Sequence, residues 1–216
     1  MLAKLTGLIR RLRSREFYAE TFDFRSGLGD SAWLLYGLAR SIKPKVCVEI
    51  GSARGKSACA VGLALRRNGV GKLYAIDPHS PTDWNDSDST DSFAVISAHL
   101  ARAGVTDFVE IVRQTSAEAA KSWDRPIDLI FIDGDHSYEG VKADWELFIP
   151  HISEFGVVVF HDTLWDLRPD PKWSRADMGV PRFVDELRVA GYPVLTIDQN
   201  FGVSLVQPLV GGIKLR

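Results

Sequence analysis

A chain of 216 residues, 45% apolar and 25% charged, is long enough to bury one substantial core without disulfides or structural metals. Its formal net charge of -2 excludes the basic excess that neutralises phosphate backbones, so no nucleic-acid partner is expected. Cys47 and Cys59 are too few for a disulfide framework or a metal knuckle, and they read as buried thiols of a reducing compartment, the cytoplasm. No run approaches the ~20 consecutive apolar residues of a transmembrane segment.

In chain order, residues 1–26 come first, as a basic amphipathic helical extension. Leu2, Leu5, Leu8, Ile9 and Leu12 recur at helical spacing among Lys4, Arg10, Arg11, Arg13 and Arg15. No continuous apolar run follows the basic start, which is not the pattern of a secretory signal. Such a stripe packs on its own domain, on a second copy of the chain in a homo-oligomer, or on an anionic membrane surface.

Residues 27–216 read as a single domain of alternating strands and helices. Residues 45–50 form a short β-rich run, and a helix over 55–67 closes at Asn68-Gly69. A second strand spans 72–77, and the next helix carries Phe93, Val95, Ile96, Leu100 and Ala103. Strands are predicted at 108–112, 127–132 and 156–160, with a helix bearing Tyr138, Val141, Trp145, Phe148 and Ile149 between the last two. A helix over 181–190 leads to strands at 194–197 and 202–206, too close together for a crossover helix. The pattern predicts an α/β fold: a doubly wound, Rossmann-like, seven-stranded and mostly parallel sheet ending in an antiparallel hairpin.

In open parallel sheets ligands bind beyond the carboxyl ends of the strands. The first strand ends in Glu49-Ile50-Gly51-Ser52-Ala53-Arg54-Gly55-Lys56-Ser57. A dinucleotide fingerprint would need glycine where Ala53 stands. A P-loop, the mark of a Mg²⁺-dependent nucleotide hydrolase, needs four residues between its glycines, and Gly51 and Gly55 have three. An acid beside the turn, Glu49, suits a ligand with a cationic or hydroxyl-bearing part. Asp77, ending the second strand, either accepts the hydroxyls of a ribose or starts the turn at Asp77-Pro78. Ser116, after the third strand, either reaches an adenine edge or caps a helix.

Together these positions resemble a class I S-adenosylmethionine-dependent methyltransferase over about residues 27 to 207. The family's glycine-rich motif is matched by Glu49-Ile50-Gly51-Ser52-Ala53-Arg54-Gly55, with Ala53 in place of its central glycine, and its ribose-binding acid by Asp77. The strings "FIDGDHSYEGVKAD" and "GVVVFHDT" are similar to the branch holding metal-dependent O-methyltransferases of antibiotic sugars and cephalosporin-hydroxylase-like proteins. The resemblance implies S-adenosylmethionine bound by Glu49, Gly51, Ser52, Gly55, Asp77, Ser116 and Asp133. It implies methylation of a hydroxyl on a small acceptor, a sugar or glycosylated natural product. The alternative from another class is a catalytically inactive carbohydrate-processing partner that keeps the fold and loses the cofactor.

The fourth strand leaves the core through Asp133-Gly134-Asp135-His136, and the fifth ends in His161-Asp162. Burying such groups is costly unless they find charge partners or a metal. Asp133, His161 and Asp162 then form an oxygen-and-nitrogen set suited to Mg²⁺, or to Mn²⁺ or Zn²⁺ since His softens the site. In the sugar O-methyltransferases the position of His161 is usually acidic, so His161 is also a candidate base, beside Asp135, which shares a side with Asp133 if the chain stays extended. The metal-free reading pairs Asp133 with His161 and lets Asp162 cap a turn. Residues 78–91, with Trp84 among acids, fold over the cofactor or form a solvated loop. Residues 164–180, with Trp165, Arg168 and Trp173, are long for a linker and suit a lid over the acceptor. His79 and His151 read as surface histidines.

Overall fold

The computed structural model describes residues 22, 24–80, 91–167 and 175–208. The basic stripe of residues 2–15, the acidic part of the 78–91 loop with Trp84, and Arg168 and Trp173 lie outside the described residues.

The elements run α1 (Ser31–Ile42), β1 (Val46–Ile50), α2 (Lys56–Asn68), β2 (Lys72–Ile76), α3 (Ser92–Ala103), β3 (Val109–Val112), α4 (Ser116–Ala120) and β4 (Ile127–Ile132). They continue with α5 (Tyr138–Phe148), β5 (Ile152–His161), α6 (Val180–Val189), β6 (Val194–Ile197) and β7 (Val203–Val206). The seven strands are ordered β3-β2-β1-β4-β5-β7-β6. Neighbours from β3 to β5 pair in parallel, while β7 runs antiparallel to both β5 and β6. The α/β fold with a terminal hairpin is as the sequence implied.

The apolar run from 129 to 132 in β4 follows from burial on both faces. Leu129 and Phe131 join α1, α2 and α3 in one core, while Ile130 and Ile132 join α5 and α6 in the other. Phe22 and Phe24 pack into the first core against His99. Asp128 is the one acid of β4, and its carboxylate accepts from Lys45 N, Val46 N and the Ser153 hydroxyl. These bonds sit where the β4–β5 register shifts, between Ile127 and Leu129. Strand β5 therefore starts at Ile152, earlier than the glycine at 156 suggested, with the irregularity inside it.

Helix ends follow local chemistry. Asp91 caps α3 by accepting from Phe93 N and Ala94 N, and Ser137 caps α5 through Gly140 N. At α4 the cap is Thr115, in a reciprocal box with Glu118, so the expected capping role of Ser116 moves one residue back.

Candidate active site

The strand order reverses between β1 and β4, so the crevice of the sheet opens at their carboxyl ends. Gly51 N donates to Ile76 O and Asp133 N to Ile50 O, which ties the tips of β2, β1 and β4 together. Gly51 has φ 85°, and a Cβ there would overlap the Asp133 carbonyl. Glycine is required for both reasons. Ala53, where the related motif has glycine, also adopts positive φ, 42°. Its N–H donates to Asp77 Oδ2 at 2.8 Å, which holds the turn in that conformation.

Asp77 thus serves the turn directly, since His79 N donates to its other oxygen at 2.7 Å. Each carboxylate oxygen keeps lone-pair capacity for a further donor such as a ribose hydroxyl. With Gly51 N, Ala53 N and Gly55 N bonded to Ile76 O, Asp77 and Ser52 O, those N–H groups do not form the open nest that a P-loop offers phosphates. The nucleotide-hydrolase reading fails there.

Glu49 is 1% exposed. The Ser57 hydroxyl donates to its Oε1, while Oε2 is buried without a partner. Burial pushes this carboxyl up to about 8, against the Ser57 bond, and the charges of Asp133 and Asp77 add to the rise. Ser52 Oγ, in the same turn, is also buried and unpartnered. On α5 the buried Asp144 carboxyl is raised by burial to about 6, with the Ser116 side chain acting against the rise.

The polar end of β4 meets the end of β5. His161 Nδ1 donates to Asp133 Oδ1 at 3.0 Å, and His136 Nδ1 lies 3.1 Å from Asp162 Oδ2. His136 Nε2 is 3.5 Å from Asp133 Oδ1. His161 Nδ1 also lies 3.2 Å from Asp162 Oδ1, but its one N–H is given to Asp133, and Asp162 Oδ1 is buried without a hydrogen bond. Asp162 holds φ 59°, a left-handed conformation that costs a non-glycine residue free energy.

Burial opposes charge on both histidines, yet the neighbouring carboxylates raise His161 to about 9 and raise His136 as well. Burial likewise works against the Asp133 charge, but His161 and His136 outweigh it and hold this carboxyl well below the usual range. Asp162 goes the other way, pushed by burial up to about 6 although both histidines draw it down.

One ligand atom each from Asp133, His136 and Asp162 falls within 4.8 Å of the others, as donors around one cation must. The sequence-based set had His161 in place of His136. His161 instead braces Asp133 from behind, and its Nε2 is buried without a partner. His136 belongs to the Asp133-Gly134-Asp135-His136 run, and only the turn after β4 shows that its ring swings back over the strand ends. Asp135 is exposed and accepts from Ser137 N at 2.8 Å, which places it at the start of α5 and outside the cluster.

His79 is not a surface residue. Its side chain is fully buried, Nδ1 shares a hydrogen bond with Ser92 Oγ at 3.0 Å, and the ring meets Phe93 edge-on. His151 is half-buried in a single 3-10 turn. Trp165 N donates to Asp162 O, and the indole stacks on Phe201 with centroids 4.4 Å apart. Phe201 had drawn no notice in the sequence. At the far end of the same segment, Gly179 N donates to His136 O at 2.8 Å.

Residues 48–163 match a family described as methyltransferase domains, a span from inside β1 to just past the β5 tip. The chain belongs to that family. An uncharacterized protein of Sinorhizobium fredii is 31% identical over 140 residues, 62% of this chain and 15% of the relative. An uncharacterized protein of Acanthamoeba polyphaga mimivirus is 26% identical over 151 residues, 67% of this chain and 62% of the relative. The chain thus spans less than two thirds of either relative's length. Among solved structures, the SAH-bound methyltransferase PaMTH1 of Podospora anserina has a TM-score of 0.69 at 18% identity, over 95% of this chain and 94% of that one. The O-methyltransferase TomG of Streptomyces achromogenes, in complex with SAM, gives 0.61 at 21%, over 82% and 78%. An O-methyltransferase of Bacillus cereus in complex with SAH gives 0.58 at 16%, over 83% and 81%. At these identities the likeness establishes the fold. Among the described residues, no helix is long and apolar enough to cross a membrane.

Proposed function

We propose that this methyltransferase uses S-adenosylmethionine to methylate a hydroxyl of a small acceptor, with a divalent cation at the β4–β5 tips. The observation that carries the reading is the meeting of Asp133, His136 and Asp162 beside the Gly51–Gly55 turn. The neighbours crystallised with SAM or SAH support the choice of cofactor.

A sulfonium cofactor supplies a methyl group open to in-line attack by an acceptor oxygen. Asp77 would take the ribose hydroxyls while keeping the turn closed, and Glu49 Oε2, buried and unpartnered, suits the cofactor's ammonium. Gly51 and Gly55 let the ligand approach the backbone, with Ser52 and Ser116 as flanking hydroxyls. A hard divalent cation would supply Lewis acidity that holds the acceptor's oxygens and lowers the hydroxyl pKa. Asp133, His136 and Asp162 would hold it, and the orphaned Asp162 Oδ1 fits that role. His161 keeps Asp133 ionised and oriented, and Trp165, stacked on Phe201, forms a flat wall suited to a sugar face or an aryl ring. Positioning in a water-poor crevice then does most of the work.

The test is formation of S-adenosylhomocysteine by the purified chain with S-adenosylmethionine, Mg²⁺ or Mn²⁺, and a panel of catechols, sugars and glycosides. Absence of both S-adenosylhomocysteine binding and turnover on a broad panel would favour the non-catalytic relative of the same fold.

A further inference from the structure

A cavity of about 310 Å³ lies between the segment leading into α1 and the first turns of α2. Its described lining includes the aromatic Phe22, Phe24 and Trp33 and the charged Arg25, Asp30 and Lys56. None of the described lining residues belongs to the 51–55 turn, to Asp77 or to the Asp133–His136–Asp162 cluster. The volume is at the lower end of the range for small-molecule sites.

We propose that this cavity is a second ligand site, for an anion carried on a flat apolar body, with the anion on Lys56 and the body among the aromatic rings. Lys56 is half-buried, and among the described residues no hydrogen bond or ion pair holds its ammonium; Asp30 acts on it only through its charge. Removing a cation from water without a partner is unfavourable, so an anion entering beside it recovers lost interaction. The aromatic wall is fixed in advance: His99 stacks on Phe22 at 5.1 Å, meets Phe24 at 4.7 Å, and is held through Nδ1 by Arg54 O. Arg102 lies over Phe22 at 4.5 Å. Little side-chain ordering is then left for the ligand to impose. Lys56 directly follows Gly55, so occupancy of this cavity would reach the cofactor turn through one peptide bond.

Calorimetry of the full chain with phenyl phosphate, phenol and inorganic phosphate as probes tests this. Phenyl phosphate should bind at least roughly ten-fold more tightly than either fragment, and Lys56→Gln should weaken it by at least roughly ten-fold while Lys56→Arg retains it. Phenyl phosphate should still bind when S-adenosylhomocysteine is saturating. Equal affinity for the whole probe and a fragment, or for Lys56→Gln and wild type, would overturn the proposal. So would competition with S-adenosylhomocysteine, which would make the cavity part of the cofactor pocket. Far-ultraviolet dichroism of both variants guards against a loss that is merely unfolding.

Discussion

His136 Nδ1 stands 3.1 Å from Asp162 Oδ2, although one residue follows β4 and the other follows β5. The parallel pairing of Ile132 with Phe160 brings the two strand ends level, and the turn after Asp133 folds His136 back over the gap. A cluster of two acids and two histidines results, tied together before any ligand arrives.

Chelation should therefore remove methyl transfer, and added Mg²⁺ or Mn²⁺ should restore it. His161→Gln gives the finer expectation: Mn²⁺ affinity, followed by electron paramagnetic resonance, should fall about 10–100-fold because the brace on Asp133 is lost. S-adenosylhomocysteine affinity should stay unchanged. Full turnover in chelator would remove the metal from the mechanism.

Asp77 has two roles, so its replacement should have two effects. Asp77→Ala should weaken S-adenosylhomocysteine by ~1.5–3 kcal/mol in calorimetry. It should also lower the melting temperature of the ligand-free protein, because Ala53 N–H and His79 N–H lose their acceptor. An unaltered melting temperature would show that the turn stands without Asp77.

Glu49 sets a pH dependence of definite sign. Its folded carboxyl is raised to about 8 from an ordinary 4.5, so the folded state binds more protons than the unfolded state between those values. Stability from this group is present below about 4.5 and is lost as pH rises toward 8. Glu49→Gln should therefore gain thermal stability relative to wild type as pH is raised across that window. A constant difference between the two proteins would mean that Glu49 ionises normally.

Two glycines with similar backbones should respond very differently to alanine. Gly69 ends α2 at φ 71° with open space where a Cβ would go, so Gly69→Ala should cost only the left-handed penalty of about 1–2 kcal/mol. Gly51→Ala adds overlap with the Asp133 carbonyl to its φ of 85° and should cost substantially more. Urea denaturation of both variants gives the comparison directly.

The sequence by itself determined the architecture. Hydrophobic period, glycine stops and the short gap before the last strand depend on local chain physics, and they implied the strand types and the hairpin. It also placed Glu49, Asp77, Asp133 and Asp162 at strand ends, because polar residues after an apolar strand mark where the chain leaves the core. Only the tertiary structure decided which of these groups touch. That His136 rather than His161 faces Asp162 Oδ2 depends on a turn's path, and side-chain direction after a strand has no fixed period. That Asp135 turns away depends on the start of α5, whose first N–H groups attract a nearby acceptor. His79 is buried because α3 returns over the β2 tip, and Phe201 reaches Trp165 because the β6–β7 hairpin ends beside it. The Trp165–Phe201 stack and the meeting of His136 with Asp162 join segments far apart in the chain, and no local pattern carries them.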